Sequence, residues 1–160
     1  MPAAPRILRI YADTSVFGGC FDAEFAQVSR QLFDGIHAGL YRLVLSDVVL
    51  RELERSPEPV RQLLLQVPDL HTERADLSLE SMALRDEYIK ADVLGPRWID
   101  DAAHVAIATL ARADAIVSWN FRHLVRLDHI RQFNAVNLRL GYPLIEIRSP
   151  REIVYESQDD

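Results

Sequence analysis

Residues 100–124, DDAAHVAIATLARADAIVSWNFRHL, limit what this chain can fold into more than any other stretch. From Asp100 to Arg112 the residues are mostly Ala, Val, Ile and Leu with no Gly or Pro, so a helix is the low-energy conformation. After the polar turn Arg112-Ala113-Asp114, the run Ala115-Ile116-Val117-Ser118 is apolar without alternation, as in a strand covered on both faces. A helix feeding at once into a doubly covered strand is half of a parallel α/β unit. Ligands of such sheets gather at the carboxyl ends of the strands, which puts Ser118, Trp119 and Asn120 where chemistry is usually done. Asp100 or Asp101 is expected to cap the helix.

The rest of the chain supplies further layers. Ile7 to Ala12 reads as a first strand ending in Asp13-Thr14-Ser15, which is either an Asx or ST turn or a metal ligand with hydroxyl support. Val16-Phe17-Gly18-Gly19 is expected to be a flexible bend. Phe25, Val28, Leu32, Phe33, Ile36 and Leu40 fall at three- and four-residue spacing, an amphipathic helix over Glu24 to Leu40. Tyr41 to Ser46 reads as a second strand, and Ser46 or Asp47 caps a helix from Val48 to Glu54 that Ser56-Pro57 stops. Glu52 lies in that helix, and it matters only if the helix aims it back towards Asp13.

Helical patterns return at Glu58–Gln66 and Leu79–Lys90, whereas Val67–Asp76 has no assignable pattern. Val93–Trp98 reads as a loop that Trp98 anchors on the core. Phe121–Leu140 is the most basic region, with Arg122, His123, Arg126, His129, Arg131 and Arg139 against the single acid Asp128. It is either a solvated helix face or a set of phosphate contacts. Tyr142–Ile147 is expected to be a last, edge strand, and Ser149-Pro150 to open a short capped segment. Met1–Pro5 reads as a lead-in and Gln158–Asp160 as a loose tail.

A length of 160 residues, about half of them apolar, suits one domain, expected to span 1–160 with a core of about 7–154. The single cysteine, Cys20, has no partner for an internal disulfide. No charged-then-apolar leader and no apolar span of ~20 residues is present, so a cytoplasmic protein without a membrane segment is expected. The formal net charge of −6 argues against broad attraction to nucleic acid but leaves room for a local basic face or a metal-filled acidic site.

Asp13, Glu52, Asp101 and Asn120 form a candidate set made only of oxygen donors. Such a set suits Mg²⁺ or Mn²⁺, whereas zinc calls for His or Cys. Carboxylates that converge without a cation repel one another, so the cluster makes physical sense chiefly around a metal.

These residues sit in YADTSVFGG, in LSDVVLRELERSP and in DDAAHVAIA followed by ADAIVSWNFRHL, and NAVNLRLGYPLIEIRSPREI follows later. With these motifs in this order the chain resembles the PIN-domain ribonucleases, the fold of VapC-type toxins, from about Ile7 to Val154. The resemblance implies a three-layer α/β/α sandwich with a mainly parallel central sheet. It implies a metal-dependent endoribonuclease that hydrolyses RNA phosphodiester bonds, the toxin of a type II toxin-antitoxin pair, with a cognate antitoxin and a homodimer as expected partners.

Carried over by residue, Asp13, Glu52 and Asp101 would hold Mg²⁺ or Mn²⁺, Asp101 being favoured over Asp100 because the family's aspartate directly precedes Ala. Asn120 stands where many PIN domains have a fourth aspartate, a loss of charge that Asp100 or Asp114 would partly offset. Thr14 and Ser118 match hydroxyl positions near the metal, and Arg122 or Arg126 would hold a flanking phosphate. His104 is expected to pack beside the site rather than to act as a general base. The departure at Asn120 also suggests the alternative of a non-catalytic RNA-binding or protein-interaction module. A phosphoryl-transfer domain of receiver or haloacid-dehalogenase type ranks below both, since Asp13-Thr14-Ser15 lacks the second aspartate two positions on that the latter needs and no well-placed Lys serves either.

Overall fold

Helices lie on both faces of one sheet whose strands all run the same way, in a computed structural model that describes residues 6–158. The expected lead-in at Met1–Pro5 and the tail residues Asp159 and Asp160 lie outside the described residues. The strands are β1 (Leu8–Ala12), β2 (Tyr41–Leu45), β3 (Thr72–Arg74), β4 (Ala115–Val117) and β5 (Ile147–Arg148), in the order β3-β2-β1-β4-β5. Every pairing is parallel, so each connection crosses over through helices. These are α1 (Thr14–Gly19) and α2 (Ala26–His37), then α3 (Asp47–Glu54) and α4 (Glu58–Gln66), then α5 (Leu79–Lys90) and α6 (Ile99–Leu110), and α7 (Leu127–Arg139). The last helix, α8 (Pro150–Gln158), follows β5. The result is the three-layer α/β/α sandwich that the helix and strand order implies.

Chain order runs outward from β1 in both directions, through β2 to β3 on one side and through β4 to β5 on the other. The β1/β4 boundary is therefore the topological switch point, where the loops after neighbouring strands diverge and leave a crevice. Consecutive residues of β1, β2 and β4 are buried, among them Ile10, Tyr11, Leu43, Val44 and Ile116, as two helical layers require. Every residue of α6 from Ala102 to Thr109 is buried. Its alanines let it approach its neighbours closely on several sides. Behind it, Tyr88 Oη donates to Asn137 Oδ1 at 2.5 Å and Asn137 Nδ2 donates to Thr109 Oγ1 at 3.3 Å, joining α5, α7 and α6.

Several local expectations change. Residues 16–19 are the greater part of α1 rather than a flexible bend. The glycine there serves close approach: a Cβ on Gly19 would sit 2.6 Å from Ser29 Oγ and 2.8 Å from Trp119 Nε1. The α2 helix stops at His37, short of Leu40, because the chain turns left-handed at Gly39, φ +79°. Neither Asp100 nor Asp101 caps α6: the 3₁₀ turn Pro96–Trp98 runs straight into a helix that begins at Ile99, which leaves both carboxylates in its first turn. Ser46 is the residue that caps α3, its Oγ accepting from Val49 N at 3.2 Å.

The unassigned stretch holds a 3₁₀ turn at Asp69–His71 and the polar edge strand β3, too short to show a periodic pattern. Only Ile147 of the expected last strand pairs as one, joined by Arg148 on the sheet edge. Residues before it are diverted by Asn134, whose side chain donates to Ile145 O at 3.0 Å and accepts from Ile145 N at 2.8 Å.

Gly19→Ala tests the close contact between α1 and Trp119. The added methyl overpacks against Ser29 and the indole, and a loss of about 1–3 kcal/mol is expected. Urea unfolding should show a lower midpoint with an unchanged slope.

Candidate functional site

Asp13 leaves β1 and Ser118 leaves β4, neighbouring strands at the switch point, and Asp13 N still donates to Val117 O at 3.2 Å. This puts the Asp13 side chain in the crevice with 5% of its surface exposed. Its two oxygens are clasped from either side. Ser15 Oγ donates to Oδ1 at 2.5 Å and Ser118 Oγ donates to Oδ2 at 2.7 Å. Both hydroxyls also accept backbone N–H groups, Ser15 from Trp119 at 2.9 Å and Ser118 from Asn120 at 2.9 Å. The loop after β4 is thereby fastened to the start of α1 through one carboxylate.

Glu52 is aimed back towards Asp13, the condition on which its role depended. Its Oε2 accepts from Thr14 Oγ1 at 3.0 Å, and its Oε1 accepts from His104 Nε2 at 2.6 Å. His104 is buried in α6, and its Nδ1 shares a hydrogen bond with the Tyr11 hydroxyl at 2.6 Å. That hydroxyl also meets Ser46 Oγ at 2.7 Å, the cap of α3. A closed polar circuit thus runs from α3 through β1 and α6 and back to α3.

Asp101 faces the same centre but is turned aside, its Oδ2 accepting from His123 Nδ1 at 2.9 Å. Asn120 serves as a turn residue: its Oδ1 accepts the N–H groups of Arg122 and His123 at 3.2 and 2.9 Å. The structure does not bring every candidate to this place. Arg126 pairs with Asp128 at 2.8 Å and lines a separate groove with Ile130, Arg148 and Glu152. Asp114 binds Arg6 at 2.6 Å and Arg9 N at 2.8 Å, at the amino-terminal end of β1, so it cannot offset the charge lost at Asn120. Asp100 is exposed beside Asp101.

The charges are coupled through His104. Burial pushes the Asp13 carboxyl up, against the opposing pull of His104, Ser15 and Ser118, and Asp101 adds to the rise. Burial also works to raise Glu52, but the hydrogen bond and charge of His104, with Thr14, outweigh it and hold the carboxyl below its ordinary value. Burial works to lower His104, and Glu52 above all, followed by Asp13 and Asp101, reverses this and raises it. One imidazole therefore couples the titration of three carboxylates.

The donor chemistry fits a hard divalent cation: carboxylates with hydroxyl support, no sulfur, and one buried carboxylate whose charge is opposed by its surroundings. The spacing does not yet close into a ligand set. Among the described residues no three His, Cys, Asp or Glu side chains converge closely enough to hold a metal, because each acid is turned to a protein partner. Sequence reading missed His123 as the partner of Asp101, seeing in it only basic charge. It also left Ser15, equal to Ser118 as a donor to Asp13, outside the supporting set.

No protein-family model matches the chain and no curated protein matches it. Among solved structures, a chain of the crystal structure of VapBC2 from Rickettsia felis bound to a DNA fragment from their promoter is similar in fold, with a TM-score of 0.54. The identity is 13%, and the match covers 89% of this chain and 98% of that one.

Asp13→Asn tests the opposed charge. The native state holds the Asp13 proton more tightly than the unfolded chain, so ionisation costs stability as pH rises from about 3.8 through the raised native value, and the cost persists at neutral pH. In EDTA at pH 7 the variant should unfold at a higher urea concentration than the wild type. The gain should vanish as pH falls below about 3.8, where both states are protonated. An unchanged or lower midpoint at pH 7 would mean that the hydrogen bonds to the carboxylate outweigh its burial.

Proposed function

We propose that this protein is a Mg²⁺- or Mn²⁺-dependent endoribonuclease, the toxin of a type II toxin-antitoxin pair working in the cytoplasm. The observation that carries the reading is the burial of Asp13 at the β1/β4 switch point, with Glu52 bonded to the neighbouring Thr14 and with Glu52 and Asp101 both, like Asp13, in the field of His104. These three acids would hold the cation. Ser15 and Ser118 hold Asp13 in place, and Thr14 holds Glu52. When bound, the cation supplies Lewis-acid charge to the phosphodiester and to the attacking water.

To hold a cation, Asp101 would exchange its contact with His123 and Glu52 its contact with His104, while the hydroxyl contacts of Asp13 and Glu52 could persist. In the reaction water adds to phosphorus in line with the leaving oxygen and gives up a proton to solvent, while the bond from phosphorus to the leaving oxygen breaks and that oxygen takes up a proton in turn. Arg122, exposed at the edge of the site, holds a phosphate of the substrate. His104 stays buried behind Glu52, with Tyr11 occupying its other nitrogen. The VapBC2 structure was solved with promoter DNA, and its likeness to this chain supports a cognate antitoxin as partner here. No helix among the described residues is long and apolar enough to cross a membrane.

A second reading is favoured by the Asn120 turn and by the pairing of every acid with a protein group: a non-catalytic module that binds RNA or an antitoxin. Incubating a mixed RNA pool with the purified protein and Mg²⁺ or Mn²⁺ decides between them. Cleavage should disappear in EDTA and fall at least about a hundredfold in Asp101→Asn and in Glu52→Gln, the scale of losing one preorganised charged group. RNA binding without metal-dependent cleavage would establish the non-cutting module instead.

A further inference from the structure

Beside Asp101 lies a groove of about 470 Å³, lined by Arg97, Trp98, Asp100, Asp101, Arg122 and His123. Its size falls in the range of ligand-binding clefts, about 300–1,000 Å³. The Arg97 guanidinium lies over the Trp98 ring, 5.0 Å from its centroid, and that of Arg122 lies 5.9 Å from the same centroid. Among the described residues neither guanidinium forms an ion pair or a hydrogen bond, in contrast to Arg9, Arg74, Arg126 and Arg139, each of which meets a carboxylate. Two cations are thus set against one indole, with their N–H donors unspent, at the edge of an acidic centre.

The groove is joined to that centre by contact. The His123 ring lies 4.2 Å from Trp98, centroid to centroid, and its Nδ1 donates to Asp101 Oδ2 at 2.9 Å. A ligand seated on Trp98 is therefore one side chain away from a carboxylate of the candidate ligand set. Guanidinium donors match phosphate oxygens, and aromatic and guanidinium planes both stack on nucleobases.

We propose that the Arg97–Trp98–Arg122 groove binds one nucleotide of single-stranded RNA next to the scissile phosphodiester, its phosphate on the guanidiniums and its base on the Trp98–arginine surface. Its place in a reaction rests on the nuclease reading, whereas the binding itself does not. A base paired in a duplex hides its faces in the stack, so the groove selects unpaired RNA.

The test is binding of a fluorescein-labelled single-stranded oligoribonucleotide, and of its duplex, to the full chain in EDTA, read by anisotropy. The single strand should bind more tightly than the duplex. Trp98→Ala should weaken single-strand binding about tenfold and Trp98→Phe should retain most of it, since the stacking surface survives. Arg97→Ala and Arg122→Ala should each make the logarithmic dependence of affinity on salt shallower by about 0.7, the loss of one phosphate contact on a single strand. Arg97 and Arg122 are exposed, so these variants report on binding even if Trp98→Ala fails to fold. Of the two tryptophans Trp119 is buried, so quenching of the intrinsic fluorescence by RNA should be lost in Trp98→Phe.

Equal affinity for duplex and single strand, or salt dependence unchanged in both arginine variants, would overturn the proposal. Cleavage that persists with the groove variants binding as wild type refutes the groove and spares the nuclease. Single-strand binding that needs Trp98 and both arginines, in a protein that never cleaves, does the reverse.

Discussion

The Asp13 carboxylate, clasped between Ser15 and Ser118, is the contact on which the site depends. It sits where β1 and β4 diverge, and its two oxygens take one hydroxyl from the first turn of α1 and one from the loop after β4. A buried carboxylate is costly unless its hydrogen bonds are made, and here they are made by groups that also bind the backbone of the β4 loop. The same few bonds therefore keep an unfavourable charge inside the protein and hold the crevice open around it.

A second circuit, Ser46–Tyr11–His104–Glu52, does for the other side of the crevice what the two serines do for Asp13. It joins the cap of α3 to β1 and to α6, so the direction of Glu52 is tied to the packing of three elements. Buried polar networks of this kind, once satisfied, select one arrangement among the many that hydrophobic packing alone would tolerate. They also place His104 within the field of all three acids, so the ionisation of each is felt by the same imidazole.

Much of the frame could be read from periodicity. α4 and α5 begin and end where their patterns predict, and β4 is the unalternating apolar run that announced a doubly covered strand. The failures have local causes. Gly18 and Gly19 look like a hinge in one dimension, yet both lie within α1, and at Gly19 the missing side chain is what lets Trp119 and Ser29 pack close. Asp100 and Asp101 look like caps, but the preceding 3₁₀ turn moves the start of α6 back and frees them. Trp98 does pack against the core as expected, and the structure adds what the sequence does not show, two arginines and the partner of Asp101 around its ring.

By itself the sequence determined the fold class, the carboxylates at the strand ends and the hydroxyls beside them, because these follow from local propensity and from the rule that parallel sheets carry chemistry at their carboxyl edge. Only the tertiary structure decided which partner each group took. Asp101 turns to His123, Glu52 to His104, Asn120 to its own turn, and Arg126 away to Asp128. Those choices are pairings between side chains up to 52 residues apart in the chain. They depend on how helices rotate and seat on the sheet, and hydrogen bonds with a reach of about 3 Å are made or lost by shifts that no periodic pattern encodes.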